Sequence, residues 1–300
     1  MRPIAYLTSS CMIAGDPDER SDRWEHDFMF DPMLAAARPR ELRLEPVVWD
    51  DPQLEVDAYE AFVVGTTWDY AERPDQFLAL LDRVTEKRPL FNPVEVIRWN
   101  LDKGYLADLA KAGAPVVPTL EFDRADAQAV AAGFAEFGGD EVVVKPRVGA
   151  SAWRQVRLAK GQPLPAVEEL PPGRCLVQPF LDSVPLEGEW SFVFLGGEFS
   201  HCAQKIPASG DYRVQSMFGA REVAVAPTPH QLEAAQSVLR ATESRFAEHD
   251  PLLYARVDMV KGREGQLEVM EVELIEPYLY PEQGPELGER FVQALVQKLA

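Results

Sequence analysis

The stretch LEVMEVELIEP, Leu267 to Pro277, sets acids at alternate positions inside what otherwise reads as a buried strand. Strand side chains alternate faces, so Glu271 and Glu273 point the same way, flanked on that face by Val269 and Ile275. Two neighbouring carboxylates on a half-apolar surface repel each other and lose hydration. Something cationic has to face them, and the rest of the chain must either supply it or bind it.

Just upstream, LYARVDMV and LEVMEVELI flank KGREGQ and read as a β-hairpin. With the loop near Arg263 to Gln266, Asp258 falls opposite Glu271; a two-residue slip sets it opposite Val269, still on the same face. Either way Asp258, Glu271 and Glu273 share one patch, and Arg256 shares it too. Three oxygen donors on rigid strands suit Mg2+, which takes one or two carboxylates per ion together with phosphate oxygens and water. The competing reading is a solvated antiparallel face balanced by Arg256, against which Val269 and Ile275 count.

The whole chain narrows the choice. Its 300 residues carry a formal net charge of −19, which argues against a nucleic-acid partner, because phosphate backbones need a basic face. A small phosphate ligand needs only a few placed Lys or Arg and is not excluded. Cys11, Cys175 and Cys202 are isolated, with no CxxC pair or Cys/His cluster, so disulfides and structural zinc are not expected, in keeping with a reducing cytoplasm. No apolar run approaches the ~20 residues of a membrane span, and the start, MRPIAYLTSSCM, is too short in apolar residues for a signal peptide. A soluble cytoplasmic protein of about two domains follows.

Residues 1–98 alternate short apolar runs (PIAYLT, PVVW, AFVVG, PLFN) with helical segments, most clearly PDQFLALLDRVTEK. That pattern predicts a parallel sheet, whose ligands collect beyond the carboxyl ends of the strands. Those ends carry TSS, with Ser9, and TTWDY, with Thr66, Thr67 and Asp69. They either cap the next helices or contact a ligand. Asn100 is expected to cap a helix ending at Gly113, and VAAGFAEFGGD to form a helix closing on glycine before the strand EVVVKP. EWSFVFLGGEFSHCAQKI reads as a hairpin about Gly-Gly. Thr228, Pro229 and Gln231 open a capped helix reaching about Glu248, and PELGERFVQALVQKLA closes the chain as an amphipathic helix.

Lys145 leaves the strand VVVKP into a loop with Arg147, Gly149 and Ser151. This is no Walker A motif, and no GxGxxG occurs anywhere. A lysine ending a buried strand before a small-residue loop can hold phosphates or simply reach solvent. LVQPFL, with Gln178, Phe180 and Leu181, frees backbone groups at Pro179 that could read an adenine edge, with Glu187 or Glu189 accepting from ribose hydroxyls. The histidines His26, His201, His230 and His249 sit in no recognisable catalytic setting, and His201 reads as a packed core residue.

In order along the chain come LDKGYL, VVVKPRVGAS, LVQPFL, EGEWSFVFLGGEF, RVDMV and EVMEVELIEP. This series, over about residues 101–277, resembles the ATP-grasp superfamily, in its glutathione-synthetase-like branch. The resemblance implies an α/β and α+β chain: a Rossmann-like domain over 1–98, then ATP-grasp subdomains over 99–185 and 186–300. It implies Lys103 and Lys145 on the phosphates, Gly149 and Ser151 in a loop covering them, and adenine against Gln178 to Leu181. Glu189 or Glu187 would meet the ribose. Asp258, Glu271 and Glu273 would hold two Mg2+ ions, and Lys205, Arg213 and Arg256 would face the transferring phosphate. The family's third metal position is commonly Asn, where Glu273 stands here, and its covering loop is richer in Gly than RVGASA.

The family reaction makes an acyl phosphate from a substrate carboxylate, which a nitrogen nucleophile then attacks. Within the branch, EGEWSFVFLGGEFSHCAQKIPASGDYRVQ with VVGTTWDY is most similar to the cycloserine-forming cyclo-ligases, which close O-ureido-D-serine onto its own activated carboxylate. An amino-acid or peptide carboxylate–amine ligase and an ATP-grasp kinase are the alternatives. The resemblance implies an amino-acid-like substrate bound near Ser9, Thr66, Thr67, Asp69 and the loop from Asp211 to Gln215. Glu276 meets either a substrate amine or solvent. Relatives are often homodimers, although no stretch here marks an interface, and neither nucleic acid nor membrane is an expected partner.

Overall fold

The computed structural model describes residues 1–149, 152–214, 219–249 and 251–300. The four N-terminal apolar runs form a parallel sheet in the order β2-β1-β3-β4: β1 (Arg2–Thr8), β2 (Leu42–Val48), β3 (Ala61–Val64) and β4 (Leu90–Phe91). Parity along β1 divides its side chains between two cores. Ile4 and Tyr6 pack with Met29 and Met33 of α1 (Trp24–Ala37). Ala5 and Leu7 face Phe77, Leu80 and Leu81 of α2 (Pro74–Thr85). Helices on both faces explain why β1 and β3 read as continuous apolar runs rather than alternating ones.

Asn100 does not cap the following helix. It ends α3 (Val94–Asn100), and after the turn LDKG a separate helix, α4 (Tyr105–Lys111), begins. The next sheet is antiparallel, ordered β5-β8-β6-β7, from β5 (Leu120–Phe122), β6 (Glu141–Pro146), β7 (Val156–Ala159) and β8 (Cys175–Pro179). It is covered by α5 (Ala127–Phe137), where the Asp126 side chain accepts from Ala129 N at the start and Gly138, at φ +60°, ends the helix. Gly133 lets α5 approach closely, since a Cβ there would lie 2.5 Å from Val177 Cγ1.

After the short α6 (Ser183–Glu187), the third sheet is antiparallel in the order β11-β10-β9-β12-β13. Its strands are β9 (Glu189–Leu195), β10 (Glu198–Ile206), β11 (Arg221–Ala224), β12 (Tyr254–Lys261) and β13 (Leu267–Glu273). Gly196 and Gly197 make the β9–β10 turn with φ of +60° and +81°, the left-handed pair that a two-residue hairpin requires. One face, with Phe192, Phe194, Val257 and Met259, packs on Ala235, Val238 and Leu239 of α7 (Pro229–Arg245), whose capping box at Thr228 and Gln231 is formed as expected. The closing helix α8 (Leu287–Lys298) returns to the start of the chain. Its Leu287, Phe291 and Leu295 share a core with Ile4, Met29, Val193 and Leu195.

β12 and β13 pair with Asp258 opposite Glu271 and Arg256 opposite Glu273, the first of the two expected registers. Beyond Asp258 the register shifts, so Met259 faces Val269 and Met270 is the extra residue of a β-bulge. The bulge corrects one expectation. Val269 does not share the face of Glu271 and Glu273 but joins Leu267, Val272 and Leu274 in the α7 core. Without the extra residue, alternation would set Val269 beside the glutamates.

Buried side-chain amides and hydroxyls tie the N-terminal layer to this hairpin. Asn92 Nδ2 donates to Tyr254 O and Leu274 O, both at 2.9 Å, and its Oδ1 accepts from Leu253 N at 2.8 Å. Asn100 Nδ2 donates to Val272 O and its Oδ1 accepts from Leu274 N. Tyr254 Oη reaches Val64 O and Ile275 O. Among the described residues, no helix is long and apolar enough to cross a membrane. Asn92 is fully buried, so Asn92→Ala is expected to leave three backbone groups unpaired and to lower stability by on the order of 3 kcal/mol; a shifted urea midpoint with unchanged m-value is the measurement.

Candidate active site

The β13 glutamates open into a cavity of about 290 Å³ where the three sheets meet. β6 and β8 contribute Lys145 and Gln178 to one side, continued by Phe180 and Leu181. β9, β10, β12 and β13 form the floor with Glu189, Lys205, Arg256, Asp258, Glu271 and Glu273. The N-terminal layer closes the other side with Arg20, Glu25, Trp68 and Tyr70.

The floor is a charge network. Asp258, 2% exposed, accepts from Ser191 Oγ at 2.6 Å, from Arg256 Nη2 at 2.9 Å and from Lys205 Nζ at 3.3 Å. Arg256 also pairs with Glu273, and its Nη1 donates to Tyr278 O at 3.0 Å. Lys205 also pairs with Glu189. Burial works against every charge here. Arg256 and Lys205 overcome it at Asp258 and hold its carboxyl at about 2, while Asp258 and Glu189 keep Lys205 protonated. Burial wins at Glu273, lifting it to about 7 with Asp258 and Glu271 adding repulsion, although Arg256 is beside it.

Above the floor, Lys103 Nζ lies 2.7 Å from Glu271 Oε1 and donates to Gly149 O at 2.6 Å. Lys145 differs from the other site cations. It is 6% exposed, and among the described residues its hydrogen-bond partner is the Met270 thioether at 3.5 Å, placed there by the bulge. Burial lowers this ammonium to about 8. A buried cation that, among the described residues, makes no ion pair and faces a cavity is poised for an anion.

The residues expected at the phosphates, adenine edge and reaction centre therefore largely converge. Lys103, Lys145, Gly149, Gln178, Phe180, Leu181, Glu189, Lys205, Arg213, Arg256, Asp258, Glu271 and Glu273 all line the cavity, as does Glu276. Ser151 and Gln215 lie outside the described residues. Glu187 is not part of the wall; it ends α6 and pairs with Lys261 at 2.9 Å. His201 is a core residue bonded to Leu279 O.

Asp258 departs from its expected role as an open metal ligand, because both of its oxygens are held by Ser191 and two cations. Among the described residues, no group of three acids is arranged to hold an ion. Glu271 and Glu273, each with 29% of its side chain accessible, remain as the two carboxylates that fit Mg2+ with phosphate oxygens completing its shell.

The substrate expectation on the N-terminal side needs the larger correction. Ser9, Thr66, Thr67 and Asp69 do not reach the cavity wall. Ser9 Oγ donates to Asp69, which is also held by Trp49 Nε1 and Arg73, while Thr66 bonds Thr8 and His26 Nδ1. These polar groups brace the loops internally. Their neighbours Trp68 and Tyr70 face the cavity instead, and Trp68 Nε1 donates to Glu276 O at 3.0 Å. Beyond β13 the parity changes: Glu276, Tyr278 and Tyr280 line the wall, so carrying the alternation of Glu271 and Glu273 onward would have missed them. Arg20 and Glu25, and Tyr212 beside the expected Arg213, had no sequence signal of their own.

Residues 4–92 match the family model of the N-terminal domain of D-cycloserine synthetase DcsG. Over 284 residues the chain is 32% identical to the cycloserine biosynthesis protein DcsG of Streptomyces lavendulae, covering 91% of this chain and 94% of that protein. It superposes on the crystal structure of D-cycloserine synthetase DcsG with a TM-score of 0.86 at 30% identity, covering 99% and 100% of the two chains. The D-alanine–D-alanine ligase of Bacillus anthracis, solved with ATP, shares the fold at a TM-score of 0.65 and 12% identity, over 99% of this chain and 97% of that one. Its sheets, its cavity and these likenesses make this chain an ATP-grasp ligase, and it belongs to the DcsG family of D-cycloserine synthetases.

Proposed function

We propose that this chain is an ATP- and Mg2+-dependent cyclo-ligase that activates the carboxylate of O-ureido-D-serine as an acyl phosphate and closes the ring by attack of the substrate's own nitrogen. The observation that carries nucleotide use is Lys145, a buried cation facing the cavity that makes no ion pair among the described residues. The family match over most of the chain supports the cyclising substrate.

The cavity divides the work along its length. Phosphates lie against Lys145 and Lys103, with adenine toward Gln178, Phe180 and Leu181 and the ribose toward Glu189. The γ-phosphoryl group passes to the substrate carboxylate above Lys205, Arg256 and Arg213. Two anions must approach there, so fixed cations lower the barrier by stabilising charge as it develops. Lys205 and Arg256 need no reorganisation, because Asp258 and Ser191 already set their positions. Glu271 and Glu273 would hold two Mg2+ ions, which when bound neutralise phosphate charge. The ring nitrogen and the activated carbonyl belong to one molecule, so holding the chain folded back supplies most of the remaining advantage.

Turnover of O-ureido-D-serine with Mg-ATP is expected to release ADP and phosphate together with a ring product detected by mass spectrometry; a stable phosphorylated product would indicate a kinase instead. Lys145→Ala is expected to weaken ATP binding about 10- to 100-fold, the value of a lost charge-assisted bond, by calorimetry. Unchanged affinity would remove Lys145 from the phosphate site. Glu271→Gln with Glu273→Gln is expected to abolish Mg-dependent ADP formation while the thermal transition is retained. Asp258→Asn leaves two buried cations underpaired, and a loss of about 3–5 kcal/mol in urea denaturation is expected.

A further inference from the structure

Glu276 is a cavity acid that the mechanism above leaves unused. Glu271 pairs with Lys103, Glu273 with Arg256, Asp258 with Arg256 and Lys205, and Glu189 with Lys205. Among the described residues Glu276 has no ion pair; its carboxyl contacts the Tyr70 hydroxyl. It is half-buried, and it lines the cavity. Its direct neighbours are aromatic, with Lys103 acting on it from a distance. Trp68 is fastened to the Glu276 carbonyl by its indole N–H, Tyr70 meets the carboxyl, and Tyr278 follows two residues on along the same wall.

A carboxylate with no cation of its own, set among aromatic rings, is complementary to an ammonium ion. The carboxylate supplies charge and a hydrogen-bond acceptor, and ring faces attract cations where water is excluded. The position also fits. Glu276 lies three residues beyond Glu273 on the N-terminal side, so it stands between the phosphoryl-transfer cations and the Trp68–Tyr70 wall. In an α-amino acid the ammonium is attached to the carbon next to the carboxylate, so both groups of one substrate fit within the single cavity that Arg256, Lys205 and Glu276 line.

We propose that Glu276, walled by Trp68, Tyr70 and Tyr278, is the subsite that selects the α-ammonium group of the substrate. The proposal rests on the reading that an amino-acid carboxylate is activated here. Acyl-phosphate chemistry itself does not use an ammonium, so the subsite serves recognition: it rejects carboxylic acids that lack the amine and fixes which oxygen faces the γ-phosphate. The buried hydroxyl of Thr66, bonded to Thr8 and His26, then acts behind the wall, holding the loop that carries Trp68 and Tyr70.

The test compares O-ureido-D-serine with its deamino analogue, 3-(ureidooxy)propanoate, on wild-type protein and Glu276→Gln, which can keep the Tyr70 contact. Binding to the Mg-ADP complex by calorimetry and kcat/KM with Mg-ATP are both measured. Wild type is expected to prefer the amino compound, and Glu276→Gln to weaken it about 10- to 100-fold. Affinity for the deamino analogue and for ATP should stay unchanged, and Glu276→Asp should restore part of the preference. Equal wild-type affinity for both compounds, no binding of either, or an equal loss for both in Glu276→Gln overturns the subsite. Amino-selective binding lost in Glu276→Gln but without turnover keeps the subsite and removes the cyclo-ligase reading.

Discussion

The pairing of Asp258 with Arg256 and Lys205 is the interaction on which the rest of the site depends. Three charged side chains, each less than a tenth exposed, sit on one face of a central sheet. Each would carry a desolvation penalty of several kcal/mol alone, and together they meet it only because the geometry is tight and Ser191 satisfies a remaining lone pair. The arrangement keeps two cations fixed on the floor of the cavity. It also explains why the same face can be apolar at its other end. There Val193, Leu195 and Tyr254 bury themselves under α8, so one strand surface serves as core and as reaction floor.

Much of this was readable because strand parity is strict. The parallel N-terminal sheet, both long hairpins, the capping box of α7 and the register of Asp258 against Glu271 all follow from period-two patterns and turn residues. The bulge at Met270 was not readable, since one extra residue leaves no mark in composition. Its effects are large. It returns Leu267 and Val269 to the core while Met270, Glu271 and Glu273 face the cavity, and it places a thioether rather than an acid against Lys145.

The charged floor was legible because chemistry restricts which residues can stand there; the substrate wall was not. In TTWDY the polar residues drew attention, yet Thr66 and Asp69 are consumed by hydrogen bonds within their own layer, Thr67 is fully buried away from the cavity, and the aromatic members Trp68 and Tyr70 line it. A hydroxyl next to a strand end can satisfy backbone and loop as readily as a ligand, so its identity alone does not decide its role. Glu187 and Glu189 make the same point two residues apart. Gly188, at φ +81°, and the start of β9 separate them, leaving one on Lys261 outside and the other on Lys205 within.

The seam between the N-terminal layer and the third sheet gives these placements a mechanical meaning. Asn92, Asn100, Tyr254 and Trp68 attach the parallel sheet and its following helix to backbone atoms between Leu253 and Glu276, and nearly all of these bonds are buried. The strand that carries Glu271 and Glu273 and the wall that carries Trp68 and Tyr70 are therefore held as one body. The β5–β8 sheet meets that body through Lys103 on Arg147 O and Gly149 O, Arg147 on Asp102, Arg263 on Phe137 O, and the edge contact of Pro115 and Val117 with Val269. Acyl transfer needs substrate and catalytic cations in constant register, whereas nucleotide has to enter and leave. The buried hydrogen bonds of this seam assign rigidity to the first requirement.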